Sequence, residues 1–131
     1  EISRGDWSSD VCSSDLILLC SHFHQETVDR NAGKMSPIVR LGTARAAGVL
    51  KAAVVSTYAA TMLLVTAGVF PLACAAILPL TLGRARKLIE LVSDFHAVPL
   101  RIKPLKLLAA KWHSAFGLSF ASAVLWHSFA A

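Results

Sequence analysis

The chain has 131 residues, 55% of them hydrophobic and only 16% charged, a balance too apolar for an ordinary water-soluble domain. Its formal net charge is +5, from 13 Lys and Arg against 8 Asp and Glu. Four of those acids lie in the first sixteen residues with Arg4 as the one base there, so the remainder carries 12 bases against 4 acids, or +8. A membrane protein places such an excess in its cytoplasmic loops. No interleaving of aromatic and basic residues points to nucleic acid, which is not an expected partner.

The few charges are unevenly spread: none occurs in residues 52–83 and none in residues 112–131. About 20 apolar residues, rising 1.5 Å each, cross a hydrocarbon core about 30 Å thick. The first stretch is long enough for a hairpin broken by a turn, and the second for one span. The expected fold class is therefore all-α, a polytopic membrane protein.

In chain order, residues 6–16 read DWSSDVCSSDL, a polar Ser/Asp run that meets the apolar ILLC at Ile17 without a turn signal. This run is similar to one translated frame of a short-read sequencing adapter. We accordingly read residues 1–16 as an artefactual leader outside the functional chain, comparable to a cloning scar, and residues 17–131 as the carboxyl-terminal part of a longer domain. Residues 17–23 read as the last turns of an apolar helix. A polar segment, 24–43, follows with Gly33, Pro37 and Gly42 as breakers. Residues 44–66 read as a membrane helix with Arg45 and Lys51 snorkelling near one end. The turn falls at 68–71, and residues 72–82 return through the membrane carrying Pro79. Residues 84–111, with Arg84, Arg86, Lys87, Arg101, Lys103, Lys106 and Lys111 against Glu90 and Asp94, read as a basic loop. A last span covers about 107–129, with Trp112, His113, Trp126 and His127 at headgroup depth. Two spans separate the polar segments, which puts both on one face, and their bases make it the cytoplasmic or equivalent one. Cys20 and Cys74 read as small apolar fillers; with Cys12 they form no CxxC or Cys/His metal spacing.

The chemistry-bearing stretch is HFHQETVDRNAGKMSPIVRLGT, residues 22–43. Acids near helix ends can hold a hard cation such as Mg2+, which favours a few carboxylates plus the oxygens of a phosphate substrate. Lys34 and Arg40 would then face the remaining phosphate charge, Arg with a bidentate fork and Lys as a point charge. His22 and His24 stand beside this set, where they could orient an acceptor's hydroxyls or a carboxylate.

The run from Asp29 to Thr43, DRNAGKMSPIVRLGT, resembles the second acidic motif of the UbiA superfamily of intramembrane prenyltransferases. With ILLCSHFHQ before it, and with GRARKLIELVSDFHAVPLRIKPLKLLAAKWHSAFGL nearer the carboxyl end, it looks most like the 1,4-dihydroxy-2-naphthoate prenyltransferases of cyanobacterial and plastid type. The resemblance implies a nine-helix bundle, of which this chain supplies the end of the sixth helix and the seventh to ninth. It also implies a reaction in which Mg2+ and basic residues draw off diphosphate from an allylic prenyl diphosphate. The naphthoate ring then attacks the resulting cation and loses its carboxylate, as in menaquinone or phylloquinone biosynthesis. Carried over by position, Asp29 matches the last acid of the motif and is the expected catalytic metal ligand. Gln25 falls on the first acid position and Thr27 on the middle one, with Glu26 one place earlier, so Gln25 and Glu26 complete the expected metal set. Lys34 and Arg40 match the basic positions assigned to the diphosphate, and His22 and His24 are the candidate acceptor contacts. The implied location is a bacterial inner membrane or a thylakoid or plastid membrane, with the acidic motif on the cytoplasmic or stromal side and lipid as the surroundings. The motif's companion acidic stretch is absent, so the chain alone is expected to be inactive. Two other readings stand beside this one: a UbiA-type transferase for another acceptor, such as homogentisate or 4-hydroxybenzoate, and a small non-catalytic helical membrane protein.

Overall fold

The computed structural model describes residues 14–130; residues 1–13 of the leader, with Cys12, lie outside them. Every regular element among the described residues is a helix, without a strand. They form α1 (Ser14–His22), a 3-10 turn (Phe23–Gln25), α2 (Glu26–Asn31), α3 (Pro37–Leu41), α4 (Thr43–Thr66), a second 3-10 turn (Leu72–Ala76), α5 (Ile77–Phe95), α6 (Pro99–Ile102) and α7 (Leu105–Ala130).

The expected breakers fall at helix ends. Gly33 (φ 69°) and Gly68 (φ 74°) take the left-handed conformation that closes α2 and α4. In each case the glycine N–H bonds back to the second carbonyl from the helix end, Arg30 or Val65, while the next N–H, Lys34 or Val69, reaches Asp29 or Leu64. This paired closure satisfies carbonyls that a helix end leaves free. Pro37 opens α3, where its missing N–H costs nothing. Pro79 is the third residue of α5, among the N–H positions with no intrahelical partner, and the turn before it winds as a 3-10 helix. Its effect is thus to set where the α-helix begins.

One expectation is corrected. The basic stretch 84–111 is not a loop: α5 runs unbroken through Arg84, Arg86, Lys87, Glu90 and Asp94 to Phe95, and α7 starts at Leu105. Its apolar residues recur at helical spacing, with Ala85, Leu88 and Val92 buried, so the bases ride on the outer face of an amphipathic helix. Among the described residues, α4 is the one helix both long and apolar enough to cross a membrane. At 24 residues it is about 36 Å long. The 26 residues of α7 are also long enough, but its His and Ser residues dilute its hydropathy.

The core lies at one end of the bundle, where Phe23, Ile38, Leu50, Leu88, Val92, Ile102 and Leu105 are fully shielded. Both polar segments meet there: Phe23, Ile38 and Ile102 share this core, and His96 at the end of α5 hydrogen-bonds Thr43 at the start of α4, 3.1 Å. Toward the other end, Leu63, Val69, Leu72, Leu80, Leu118 and Phe129 are exposed, a surface unfavourable in water. Cys20 and Cys74 are buried free thiols, as fillers should be.

Three long helices are joined by a polar relay. Trp112 Nε1–H on α7 donates to Tyr58 OH on α4 (3.1 Å); the tyrosine donates to Thr81 Oγ1 on α5 (2.8 Å), and Thr81 donates to the Ile77 carbonyl (2.9 Å). Trp112 is therefore buried rather than interfacial, whereas Trp126 is exposed as expected. Ser56, Thr57, Thr61 and Ser122 turn back onto carbonyls of their own helices rather than across to neighbours. Replacing Tyr58 with Phe leaves the buried Trp112 N–H without an acceptor. We expect Tyr58→Phe to cost about 1–3 kcal/mol in a reversible detergent-unfolding titration, with Thr81→Val costing less because its partner can still accept from Trp112.

Candidate functional site

The site is built where α1 ends. The 3-10 turn Phe23–Gln25, anchored by the buried Phe23 ring, bends the chain without breaking its helical winding. Residues seven apart on a helix return to the same face, and α2 accordingly brings Asp29 back against His22. Asp29 Oδ2 lies 3.0 Å from His22 Nδ1. With the carboxylate as acceptor, Nδ1 carries the proton, and among the described residues Nε2 has no hydrogen-bond partner. Asp29 is only 5% exposed, unusual for an acid. Gly33 closes α2 directly behind it, fixing the Asp29 carbonyl to the Lys34 N–H at 2.8 Å.

Ser36 completes the constellation and escaped the sequence reading. It stands before Pro37 at the start of α3, where a serine hydroxyl ordinarily accepts from a backbone N–H. Here it makes no such bond and is buried with no partner in hydrogen-bonding geometry. It instead sits beside the Asp29 carboxyl. Burial alone would push that carboxyl up, but the Ser36 hydroxyl, the His22 ring and the Lys34 charge outweigh burial and hold it below its ordinary 3.8. The result is a shielded carboxylate that keeps its charge, next to a hydroxyl with unused hydrogen-bonding capacity.

Of the expected metal ligands Asp29, Glu26 and Gln25, Asp29 alone is buried. Glu26 accepts from Arg30 at 2.6 Å, an i,i+4 surface pair of small energetic worth, and Gln25 is exposed. Among the described residues no three His, Cys, Asp or Glu side chains gather as a metal site. One carboxylate with an orphan hydroxyl nonetheless suits one corner of a magnesium site, because that ion keeps several waters and takes one or two carboxylates plus substrate phosphates. Lys34 and Arg40 are both exposed, Lys34 close enough to act on Asp29 and Arg40 one turn beyond Ser36 on α3. His24 is half-buried and, among the described residues, makes no side-chain hydrogen bond. The structure thus joins His22 to Asp29, with Lys34 near, and leaves Gln25, His24 and Arg40 outside that contact.

Comparison with known proteins finds relatives named as phytyltransferases. Over 114 residues, 87% of this chain, it is 39% identical to the 2-carboxy-1,4-naphthoquinone phytyltransferase of Synechocystis sp., covering 37% of that protein. Over 105 residues, 80% of the chain, it is 33% identical to the chloroplastic 2-carboxy-1,4-naphthoquinone phytyltransferase of Arabidopsis thaliana, covering 28% of it. The chain is homologous to naphthoquinone phytyltransferases, as the resemblance of its acidic motif implied, and spans about a third of the length of these relatives. No family model and no solved structure matches it.

The depressed acidity of Asp29 has a pH signature. Since its folded-state value lies below the unfolded one, its contribution to stability is complete above about 3.8 and is lost as pH falls through the depressed value. Hydrogen exchange at the amides of residues 32–34 should therefore accelerate in that acid window. In Asp29→Asn the acid-window acceleration should vanish.

Proposed function

We propose that this chain is the carboxyl-terminal part of a UbiA-type, multi-pass membrane prenyltransferase, with the acidic motif at the cytoplasmic or stromal surface. The parent enzyme transfers a prenyl or phytyl group from an allylic diphosphate to 1,4-dihydroxy-2-naphthoate, releasing diphosphate and carbon dioxide. The observation that carries this reading is a buried Asp29, hydrogen-bonded to His22, within the stretch shared with two phytyltransferases. The relatives' names give the quinone form of the acceptor. Its two-electron reduced form is the electron-rich one, and only that ring is nucleophilic enough to attack an allylic cation. In this reading α1 is the end of the sixth helix of the bundle, α4 the seventh, the second 3-10 turn with α5 the eighth, and α7 the ninth. The exposed apolar residues of α4, α5 and α7 then face lipid or the remaining helices.

The chain's own residues have defined tasks. His22 holds the Asp29 carboxylate in one orientation through Nδ1–H, and Ser36 and Lys34 keep it anionic. Lys34 and Arg40, exposed at the same end of the bundle, neutralise a departing diphosphate, whose developing charge is the feature such a site must stabilise. Bound Mg2+ would supply further charge neutralisation there, with Asp29 as one ligand and the remaining carboxylates contributed by parts of the enzyme beyond this chain.

Asp29→Asn in the parent enzyme should lower turnover by at least two orders of magnitude, measured as prenylated naphthoquinol formed from the two substrates. The isolated chain, in which Asp29 is the one buried carboxylate among the described residues, should give no product under the same conditions. Near-normal turnover by the asparagine variant would remove Asp29 from the catalytic machinery.

A further inference from the structure

Residues 22–43 carry every side chain of the candidate site, so what fastens them to the long helices decides where the site lies. The apolar fastening is Phe23 and Ile38, buried in the core that Ile102 shares, with α6 lying against the 3-10 turn Phe23–Gln25. The polar fastening is narrower. Among the described residues, one side-chain hydrogen bond joins this stretch to the rest of the chain: His96 Nδ1, just past the end of α5, lies 3.1 Å from Thr43 Oγ1 at the start of α4. Both residues are half-buried. The other side-chain pairs of the stretch, His22 with Asp29 and Arg30 with Glu26, stay within it.

α3 has five residues, too few to hold their own winding, and of these Ile38 is the buried one. It enters α4 through Gly42, whose φ of 79° lies in the left-handed region. The first turn of α4 has no side-chain cap at that glycine, and an uncapped first turn frays. The Thr43 hydroxyl could turn back on its own backbone, as threonines at helix starts do. It reaches across to His96 instead. Ser36 and Arg40 lie one turn apart, the Arg40 N–H bonded to the Ser36 carbonyl at 3.0 Å, so a swing of α3 about Gly42 carries both away from Asp29. From this geometry we infer that His96 is a positioning residue: through Thr43 it holds the corner between α3 and α4 and thereby sets where Arg40 meets a diphosphate. The inference rests on the proposed transfer reaction and adds to it a residue outside the acidic motif that itself touches no substrate. Such a contact matters because a misplacement of about 1 Å, arising far from the reacting atoms, is enough to slow an enzyme severely.

The test is steady-state kinetics of the parent enzyme with substitutions at His96 and Thr43, the allylic diphosphate and the naphthoate being varied in turn. His96→Ala should raise KM for the diphosphate about fivefold, the loss of one ordinary hydrogen bond, and leave KM for the aromatic acceptor unchanged. KM does not depend on how much of a preparation is folded, so a merely structural role would not move it. Thr43→Val should give the same rise. Thr43→Ser should restore most of the loss, as should His96→Asn, whose short amide reaches the position of Nδ1. The double variant His96→Ala/Thr43→Val should be no worse than either single one. Additive losses in the double variant, equal rises in both KM values, or an unchanged diphosphate KM would overturn the inference. Should His96→Ala accumulate poorly, Thr43→Val, which keeps the shape of threonine, gives the same reading. A diphosphate KM indifferent to His96, while Asp29→Asn abolishes turnover, removes the positioning role alone; near-normal turnover by Asp29→Asn counts against the transferase reading instead.

Discussion

A carboxylate removed from water must be compensated or it will take up a proton. Asp29 is buried at the polar end of a helical bundle and stays ionised because His22, Ser36 and Lys34 converge on it. Much of the local architecture follows from that requirement. The 3-10 turn after α1 preserves the winding that returns Asp29 to His22, Gly33 ends α2 so that the chain can double back, and Pro37 launches α3 with Ser36 facing inward. Phe23 and Ile38, buried on either side, join this polar turn to the apolar core of α4, α5 and α7.

The two ends of the bundle obey different physics. At the charged end the core is tight and side chains from every helix but α2 interlock, with α6 contributing Ile102 and Arg101 lying over the Phe95 ring at 5.3 Å. Further along, the helices are linked by the Trp112–Tyr58–Thr81 relay and by aromatic stacking down α7 to Phe120, which meets Phe70 edge-on at 4.9 Å. There the outer surfaces stay apolar and uncovered. Of the helices described, α4, which runs between the two ends, is the one long and apolar enough to cross a membrane.

Much of this was legible in the sequence. The charge-free stretches, glycines and prolines located α4, the turn at Gly68 and the span of α7 to within a few residues, and the motif around Asp29 gave the family likeness that the two phytyltransferases bear out. Charge density misled at residues 84–95, because a cluster of bases was given more weight than the helical spacing of Ala85, Leu88 and Val92 beneath it. The pairing of His22 with Asp29 was latent in their seven-residue separation, but it depended on the intervening turn keeping helical winding, which composition does not report. Ser36 gave no signal at all. A serine before proline reads as a cap, whereas here it makes no cap bond and is buried beside the Asp29 carboxyl.

The account rests most directly on the hydrogen bond between His22 and Asp29, which nitrogen NMR of the imidazole can observe in the chain itself at neutral pH. The His22 ring should show a proton on Nδ1, shifted downfield by the carboxylate, and that signal should disappear or move upfield in Asp29→Asn. A His22 spectrum with the proton on Nε2, indifferent to the substitution at residue 29, would contradict it.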